Sequence, residues 1–123
     1  MPVRVADASA VAALLFGEPR AGEVAEMLEG ADLVAPALLP FEVASACLRK
    51  MRDHPGERDR LLAAFLLLER MPIRTVAVPS AGILLLAESE RLTVYDAAYL
   101  WLARELRADL VTLDARLRRA ARR

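Results

Sequence analysis

The sequence predicts an α/β protein with a parallel sheet that is covered by helices on both faces. Short apolar runs alternate along the chain with longer segments of helical character, in the order βααβααβααβα. Strands that alternate with helices in this way favour a covered parallel sheet. Seven prolines and five glycines separate the segments, and the hydrophobic content of 56% is sufficient for a buried core.

Proline and glycine divide the first part of the chain into four elements. Pro19 lies at the start of the second helical segment and Gly30 lies just past its end, the positions that these residues favour at helix termini. Pro36 stops the second apolar run. The predicted elements are a strand at 3–6, helices at 8–16 and 20–29, and a strand at 32–35.

The rest of the chain carries five helical segments and two strands. Pro55 and Gly56 separate the first two helices, and Arg74 weakens the alternation of the third strand. The apolar residues 61–68, with a second patch at 83–86, need cover on more than one side, which predicts a core helix or a protein interface. The predicted elements are helices at 40–53, 57–70, 79–90, 94–107 and from 115 onward, with strands at 73–78 and 109–113.

Length and composition limit the class of protein. The 123 residues are expected to form one domain, residues 1–123. The longest apolar run is far shorter than the ~18 residues that a membrane span needs, and Asp7 directly before the apolar residues 8–16 argues against a secretory signal. The single cysteine, Cys47, allows no intrachain disulfide. We therefore expect a cytoplasmic protein without a membrane partner.

The net charge of zero does not by itself indicate nucleic-acid binding. The charge is unevenly distributed, because residues 104–123 carry seven arginines against three acidic residues. A basic end of this kind could hold phosphate groups while the rest of the surface stays neutral. The alternative is an ordinary solvated helix end.

Four isolated carboxylates are the strongest functional signal in the sequence. Asp7 follows the first predicted strand, and Asp114 follows the last. Glu42 and Asp96 each open a largely apolar helical segment. In parallel sheets ligands bind beyond the carboxyl ends of the strands, which is where Asp7 and Asp114 are expected to lie.

Each carboxylate also has a structural explanation. Asp7 and Asp114 are suited to cap the helices that follow them, and Asp96 stands three residues after Thr93, the spacing of a capping box. Glu42 lies in a first helical turn, where the helix dipole favours an anion. As a set the four carboxylates indicate a cation site instead, because carboxylates that converge raise one another's pKa unless a cation is present. Oxygen ligands without histidine or cysteine favour Mg²⁺ or Mn²⁺ over zinc.

At these residues the chain resembles PIN domains, and most of all the small PIN-domain ribonucleases that act as VapC-type toxins of type II toxin–antitoxin pairs. The similarity spans nearly the whole chain, with family-like order and spacing. The matching segments are Val5-Ala6-Asp7-Ala8-Ser9-Ala10 with Leu14-Leu15-Phe16-Gly17-Glu18-Pro19, Pro40-Phe41-Glu42-Val43, Tyr95-Asp96-Ala97-Ala98-Tyr99-Leu100-Trp101-Leu102-Ala103 and Leu110-Val111-Thr112-Leu113-Asp114. The sequence departs from the family at its end: the family's sheet commonly has a fifth strand there, whereas this chain ends in residues 119–123, Arg-Ala-Ala-Arg-Arg.

The resemblance implies a PIN-like three-layer α/β/α sandwich with a parallel sheet of four strands, to which a fifth strand is an open alternative. It also implies that the protein cuts single-stranded RNA by metal-dependent hydrolysis. The expected partners are the RNA substrate, a second copy of the chain in a homodimer, and a cognate antitoxin that blocks the acidic centre. The residues expected to hold Mg²⁺, for which Mn²⁺ can substitute, and to carry out catalysis are Asp7, Asp96, Glu42 and Asp114. The hydroxyls expected to support them are those of Ser9 and Thr112. The residues expected to draw in the RNA backbone are Arg116, Arg118 and Arg119.

Other classes of protein fit less well. A non-catalytic PIN-like module that binds RNA or protein is the alternative, although the presence of all four acids argues against it. A receiver-type phosphoacceptor domain would need a late-strand lysine, and the only lysine is Lys50. A dinucleotide-binding fold is opposed by the absence of its glycine-rich motifs. Aromatic residues at helical spacing, expected in the core or an interface rather than in base stacking, are Tyr95, Tyr99 and Trp101.

Overall fold

Four strands and seven helices follow one another in the predicted order in the computed structural model, which describes residues 1–123. The strands are β1 (Val3–Ala6), β2 (Asp32–Pro36), β3 (Ile73–Val76) and β4 (Asp109–Val111). The helices are α1 (Ala8–Leu15), α2 (Ala21–Leu28), α3 (Leu39–Asp53), α4 (Arg58–Leu66), α5 (Ser80–Glu90), α6 (Val94–Leu106) and α7 (Ala115–Ala121).

The strands form one parallel sheet in the order β3-β2-β1-β4. Val5 of β1 is central, because it pairs with Val34 of β2 on one side and with Leu110 of β4 on the other. The chain therefore builds outward from β1 to β3 and then returns to the opposite side of β1. No strand follows α7, so the sheet has four strands and the fifth is not formed.

Helices cover the sheet to give the predicted three-layer α/β/α sandwich. Helix α6 packs across β1, β2 and β4, with α5 and α7 packed against it. Helix α3 packs against α1 and against α4. The side chains that fill the space between the layers are aliphatic and fully buried, among them Val5, Val11, Val34, Val43 and Leu100. No helix has the length and apolar character that crossing a membrane requires.

The prediction of one continuous helix over residues 57–70 is wrong. Helix α4 is flanked by 3₁₀ turns at Pro55–Glu57 and Leu67–Arg70. The apolar run is also not buried on all sides: Leu61 is 2% exposed, whereas Leu66 and Leu67 are 54% and 51% exposed. Exposed Ala63 and Leu66 lie three residues apart on α4, so one side of this helix faces solvent while Leu61 faces the core.

Candidate metal centre

The four predicted carboxylates line one cavity of about 770 Å³ at the carboxyl end of the sheet. Asp7 directly follows β1 and Asp114 follows β4, while Glu42 and Asp96 lie in the first turns of α3 and α6. Strands β1 and β4 are neighbours at the point where the strand order reverses. Such a point leaves a crevice beyond the strand ends, and the sheet topology therefore brings these four side chains together.

Asp7 is the most firmly held of the four. Its side chain is 4% exposed, and its two oxygens accept three hydrogen bonds. Ser9 Oγ donates to Oδ1 at 2.7 Å and Ala10 N donates to the same oxygen at 3.0 Å. Thr112 Oγ1 donates to Oδ2 at 2.5 Å. These donors fix the direction of the carboxylate and leave acceptor capacity on Oδ2.

The hydroxyls of Ser9 and Thr112 also hold the backbone beyond β4. Leu113 N donates to Ser9 Oγ and Asp114 N donates to Thr112 Oγ1, both at 3.0 Å. These amides are therefore occupied by side chains near Asp7 rather than by a neighbouring strand. This explains why β4 ends at Val111, two residues earlier than the sequence predicts.

Asp7 and Asp114 also act as the helix caps that the sequence allowed for. Asp7 accepts from Ala10 N at the start of α1, and Asp114 Oδ1 accepts from Leu117 N at 2.8 Å at the start of α7. Asp114 Oδ2 accepts no hydrogen bond, and the residue is exposed. Capping a helix and offering an oxygen to the cavity are thus compatible, because they use different oxygens of one carboxylate.

The carboxylates of Glu42 and Asp96 accept no hydrogen bond that caps a helix. Asp96 N donates to Thr93 Oγ1 at 3.0 Å, but the Asp96 carboxylate makes no returning bond of ordinary geometry. Glu42 Oε1 is buried without a hydrogen-bond partner, and so is the hydroxyl of Tyr99. The Tyr99 hydroxyl is close enough to lower the pKa of Glu42, yet the two make no hydrogen bond of ordinary geometry. A buried carboxylate oxygen without a donor is costly, and a cation would satisfy it.

The electrostatics of the cavity favour a positive ion. Burial is the main cause that raises the pKa of Asp7, Glu42 and Asp96. Mutual repulsion adds to it: Asp96 raises the pKa of Asp7 and of Glu42, and Asp114 raises that of Asp96. Four carboxylates that interact in this way belong to one centre, and a divalent ion would relieve their repulsion.

The residues present fit Mg²⁺ or Mn²⁺ in their chemistry, since they offer only oxygen ligands and one of these is buried without a partner. As the side chains stand, no three acidic, histidine or cysteine groups converge closely enough to hold an ion together. Asp7 and Asp114 are fixed by hydrogen bonds, whereas the carboxylates of Glu42 and Asp96 are not. Convergence on an ion therefore requires rotation of these two side chains.

The three arginines expected to bind RNA lie in different surroundings. Arg116 is exposed and lies near enough to Asp96 to lower its pKa. Arg118 donates to the backbone carbonyl of Thr112 at 2.8 Å and lines a different cavity. Arg119 is exposed and forms no ion pair. Of these three arginines, only Arg116 is close enough to a carboxylate of the acidic cavity to lower its pKa.

Three residues on the cavity wall were missed in the sequence. Arg49 lines the cavity, is exposed and makes no hydrogen bond or ion pair. It lies seven residues after Glu42, a spacing that places both on one face of α3, so this signal was available. Phe41 and Tyr95 also line the cavity and are 79% and 61% exposed. Of the two places predicted for Tyr95, the core is excluded by its exposure and an interface stays a prediction, while Tyr99 is 1% exposed and belongs to the core.

Comparisons with known proteins agree with this architecture. The profile of the family described as PIN domain matches residues 4–123. The crystal structure of PAE2754 from Pyrobaculum aerophilum is similar with a TM-score of 0.76 and 22% sequence identity, over 94% of this chain and 82% of that chain. At this identity the similarity supports the fold alone. A comparison with curated proteins gives no match.

Proposed function

Because the chain belongs to the PIN domain family, whose members are generally nucleases, we propose that it is a Mg²⁺-dependent endoribonuclease that hydrolyses single-stranded RNA. The observation that carries the proposal is the buried Oε1 of Glu42, which has no hydrogen bond of ordinary geometry, in a cavity that Asp7, Asp96 and Asp114 also line. Mn²⁺ offers the same hard, oxygen-binding chemistry and is expected to substitute.

Each carboxylate has a part in this proposal. Asp7, whose direction is fixed by three donors, and Asp96 would supply the firmest metal ligands. When bound, the ion lowers the pKa of a water ligand and offsets the negative charge that builds on the phosphate. Glu42 is the best candidate to accept the proton of the attacking water, because its Oε1 makes no hydrogen bond of ordinary geometry and burial raises its pKa. Asp114 has one oxygen committed to the cap of α7 and completes the centre with the other.

An acidic centre repels RNA, so cations around it must attract the phosphate backbone. Arg49 on α3 lines the cavity, and Arg116 at the start of α7 influences Asp96. We propose these two as the arginines nearest the scissile phosphate. Arg119 remains a candidate for a more distant phosphate, and Arg118 supports the end of β4 through the Thr112 carbonyl.

We also propose, from the resemblance to VapC-type toxins, that the nuclease is a homodimer and the toxin of a pair whose antitoxin covers the acidic cavity. Leucines that are at least half exposed, at the end of α4 and on α5, are candidates for a protein interface. They are Leu66, Leu67, Leu84 and Leu85. Sedimentation equilibrium should show a dimer that Leu84→Asp or Leu66→Asp dissociates. A wild-type monomer at micromolar concentration would contradict the homodimer.

The nuclease is tested by incubating purified protein with single-stranded RNA of mixed sequence. Cleavage should require Mg²⁺ or Mn²⁺, stop on addition of EDTA and be lost in Asp96→Asn, which removes one anionic ligand with little change of shape. Glu42→Gln should lower the rate by about 10²-fold or more, the usual contribution of a general base.

The matched control is Asp59→Asn. Its carboxylate is 95% exposed on α4 and lines no cavity with the four acids, so activity should not change. Circular dichroism of each variant would establish that the fold is intact. Failure of the wild type to cleave any member of a broad RNA panel would favour the alternative, a non-catalytic module that binds RNA or protein.

A further inference from the structure

Two aromatic side chains on the wall of the acidic cavity are exposed to solvent. Phe41 is 79% exposed and Tyr95 is 61% exposed, and both line the cavity that contains the four carboxylates. Most large apolar side chains of the chain are instead buried in the core or partly buried against it. Neither ring has a packing role that explains its position.

Each ring directly precedes a carboxylate of the centre. Phe41 and Glu42 lie together in the first turn of α3, and Tyr95 and Asp96 lie together in the first turn of α6. The two rings are therefore fixed to the same short helical turns as two acids of the centre. A phosphate that approaches these acids brings its own nucleosides towards the rings.

The rest of the wall is also suited to bases. Half of the sixteen residues that line the cavity are hydrophobic, including Ala8, Leu38 and Leu113. An ion and its water make polar contacts, so they do not account for a surface that is half hydrophobic. Nucleobases have apolar faces, and stacking on aromatic side chains is how proteins hold them on single strands without regard to sequence.

We propose that Phe41 and Tyr95 stack on bases of the RNA that occupies the acidic cavity. The inference rests on the proposed function and deepens it, because it makes unpaired bases a requirement of the substrate. In an A-form duplex the bases are paired and stacked on one another, so that aromatic side chains cannot reach their faces. Stacking on the two rings would therefore favour single-stranded over double-stranded RNA, a selection that metal-assisted hydrolysis alone does not provide.

The proposal is tested by the affinity of a fluorescein-labelled single-stranded RNA, measured by anisotropy in the Asp96→Asn protein to prevent cleavage. Phe41→Leu and Tyr95→Leu in this background should each raise the Kd by about 10-fold, the usual loss for one stacked base. Tyr95→Phe keeps the ring and should bind more like the parent than the leucine variant does. Leu106→Ala, at an exposed leucine at the end of α6 that lies outside both the cavity and the proposed dimer interface, is the matched control.

A second RNA distinguishes stacking from other contacts. When abasic nucleotides replace the bases, the parent should bind more weakly and the leucine variants should no longer differ from it. Leucine variants that bind intact RNA as tightly as the parent, or that lose as much affinity for abasic as for intact RNA, would overturn the proposal. So would a change in the sedimentation of free protein on Phe41→Leu with RNA affinity unchanged, since this assigns the ring to a protein interface.

The outcome is separable from that of the proposed function. If wild type cleaves RNA with Mg²⁺ while the leucine variants bind RNA normally, the nuclease stands and the stacking is refuted. If wild type does not cleave, but the ring-dependent and base-dependent binding is observed, the stacking stands in a binding module.

Discussion

Asp7 shows how a single side chain can be held firmly and still be electrostatically unsatisfied. Its three hydrogen bonds lower its pKa, but burial raises the pKa by more, and the negative charge of Asp96 adds to the rise. The donors therefore set the direction of the carboxylate without fully compensating its charge. A cation in the cavity would compensate the remaining negative charge of Asp7, and the proposed metal ion would have this effect.

Thr112→Val tests the donor that holds Asp7 Oδ2. Valine keeps the volume but removes the hydroxyl that donates to Asp7 and accepts from Asp114 N. We expect the free energy of unfolding at pH 7 to fall by about 1–3 kcal/mol, the usual cost of leaving a buried polar group without its partner. Urea titration with an unchanged m-value would measure it.

Thr112→Ser is the matched control for this change. Serine keeps the hydroxyl and loses only a methyl group, so its cost should be smaller than that of valine. The Thr112 hydrogen bond lowers the pKa of Asp7 and thus favours the charged form, so the cost of valine should shrink at acid pH. A serine variant less stable than the valine variant would refute the role of the hydroxyl.

The sequence revealed some residues of the centre better than others. Asp7 and Asp114 could be found because a carboxylate after an apolar run marks a strand end. Arg49 could have been found from its helical spacing to Glu42. The exposure of Phe41 could not, because a phenylalanine in an apolar helix is most often buried and only the packing of α3 decides which side of that helix faces the cavity.

At the scale of the elements, the helix ends depend on residues in left-handed conformation. Arg91, after α5, has a φ of 57°, and Arg107, after α6, has a φ of 51°. Gly30, after α2, has a φ of 72° and is the residue type that this conformation favours. At these two positions the backbone of arginine is strained, whereas the backbone of a glycine would not be.

Exchanging residue types at these ends should change stability in opposite directions. Arg91→Gly relieves the left-handed strain, which outweighs the entropy that glycine adds to the unfolded chain, so we expect a gain of about 0.5–1 kcal/mol. Gly30→Ala should cost about 1 kcal/mol from backbone strain alone, because no atom lies within 4 Å of the added Cβ. Urea unfolding measures both, and two changes of the same sign would contradict the argument.

The elements themselves were largely predictable, because proline and glycine mark most of their boundaries. The structure differs where tertiary contacts override the pattern. The run at 61–68 is uniformly apolar, so it carried no sign of which residues face solvent or of the 3₁₀ turn that follows Leu66. Strand β4 ends early because the amides of Leu113 and Asp114 bond to hydroxyls near Asp7, which the sequence of residues 109–113 does not show.

At the scale of the whole molecule, the centre exists only when the sheet is complete. Its four carboxylates come from the ends of β1 and β4 and from the first turns of α3 and α6. The alternation of strands and helices predicts that acids at strand ends share one edge of the sheet. It does not predict that β4 returns to the side of β1, and that return is what places Asp114 beside Asp96.

A fold that gathers these charges should be stabilised by a divalent ion at neutral pH. A ligand that binds only the folded state at about 100 times its Kd adds about 2.7 kcal/mol, which corresponds to a rise in Tm of about 10 °C for a domain of this size. Calorimetry at pH 7 with MgCl₂ or MnCl₂, against EDTA and KCl of equal ionic strength, measures the shift. Asp96→Asn should melt higher than wild type in EDTA, because repulsion is removed, and should respond less to the ion.

The rise in Tm that Mg²⁺ causes should depend on pH, because the pKa values of Asp7, Glu42 and Asp96 are raised. Groups with raised pKa bind protons more tightly when folded, so without metal their contribution to stability increases as pH falls from 7 through their folded pKa. The opposite loss, from the lowered pKa of Glu23 and Glu90, sets in as pH falls through the ordinary carboxylate range and is complete only below their folded pKa. The effect of Mg²⁺ should accordingly shrink between pH 7 and pH 5, since protons compete with the ion for the same oxygens. An Asp96→Asn protein that responds to Mg²⁺ as wild type does, or a shift independent of pH, would place the ion somewhere other than these carboxylates.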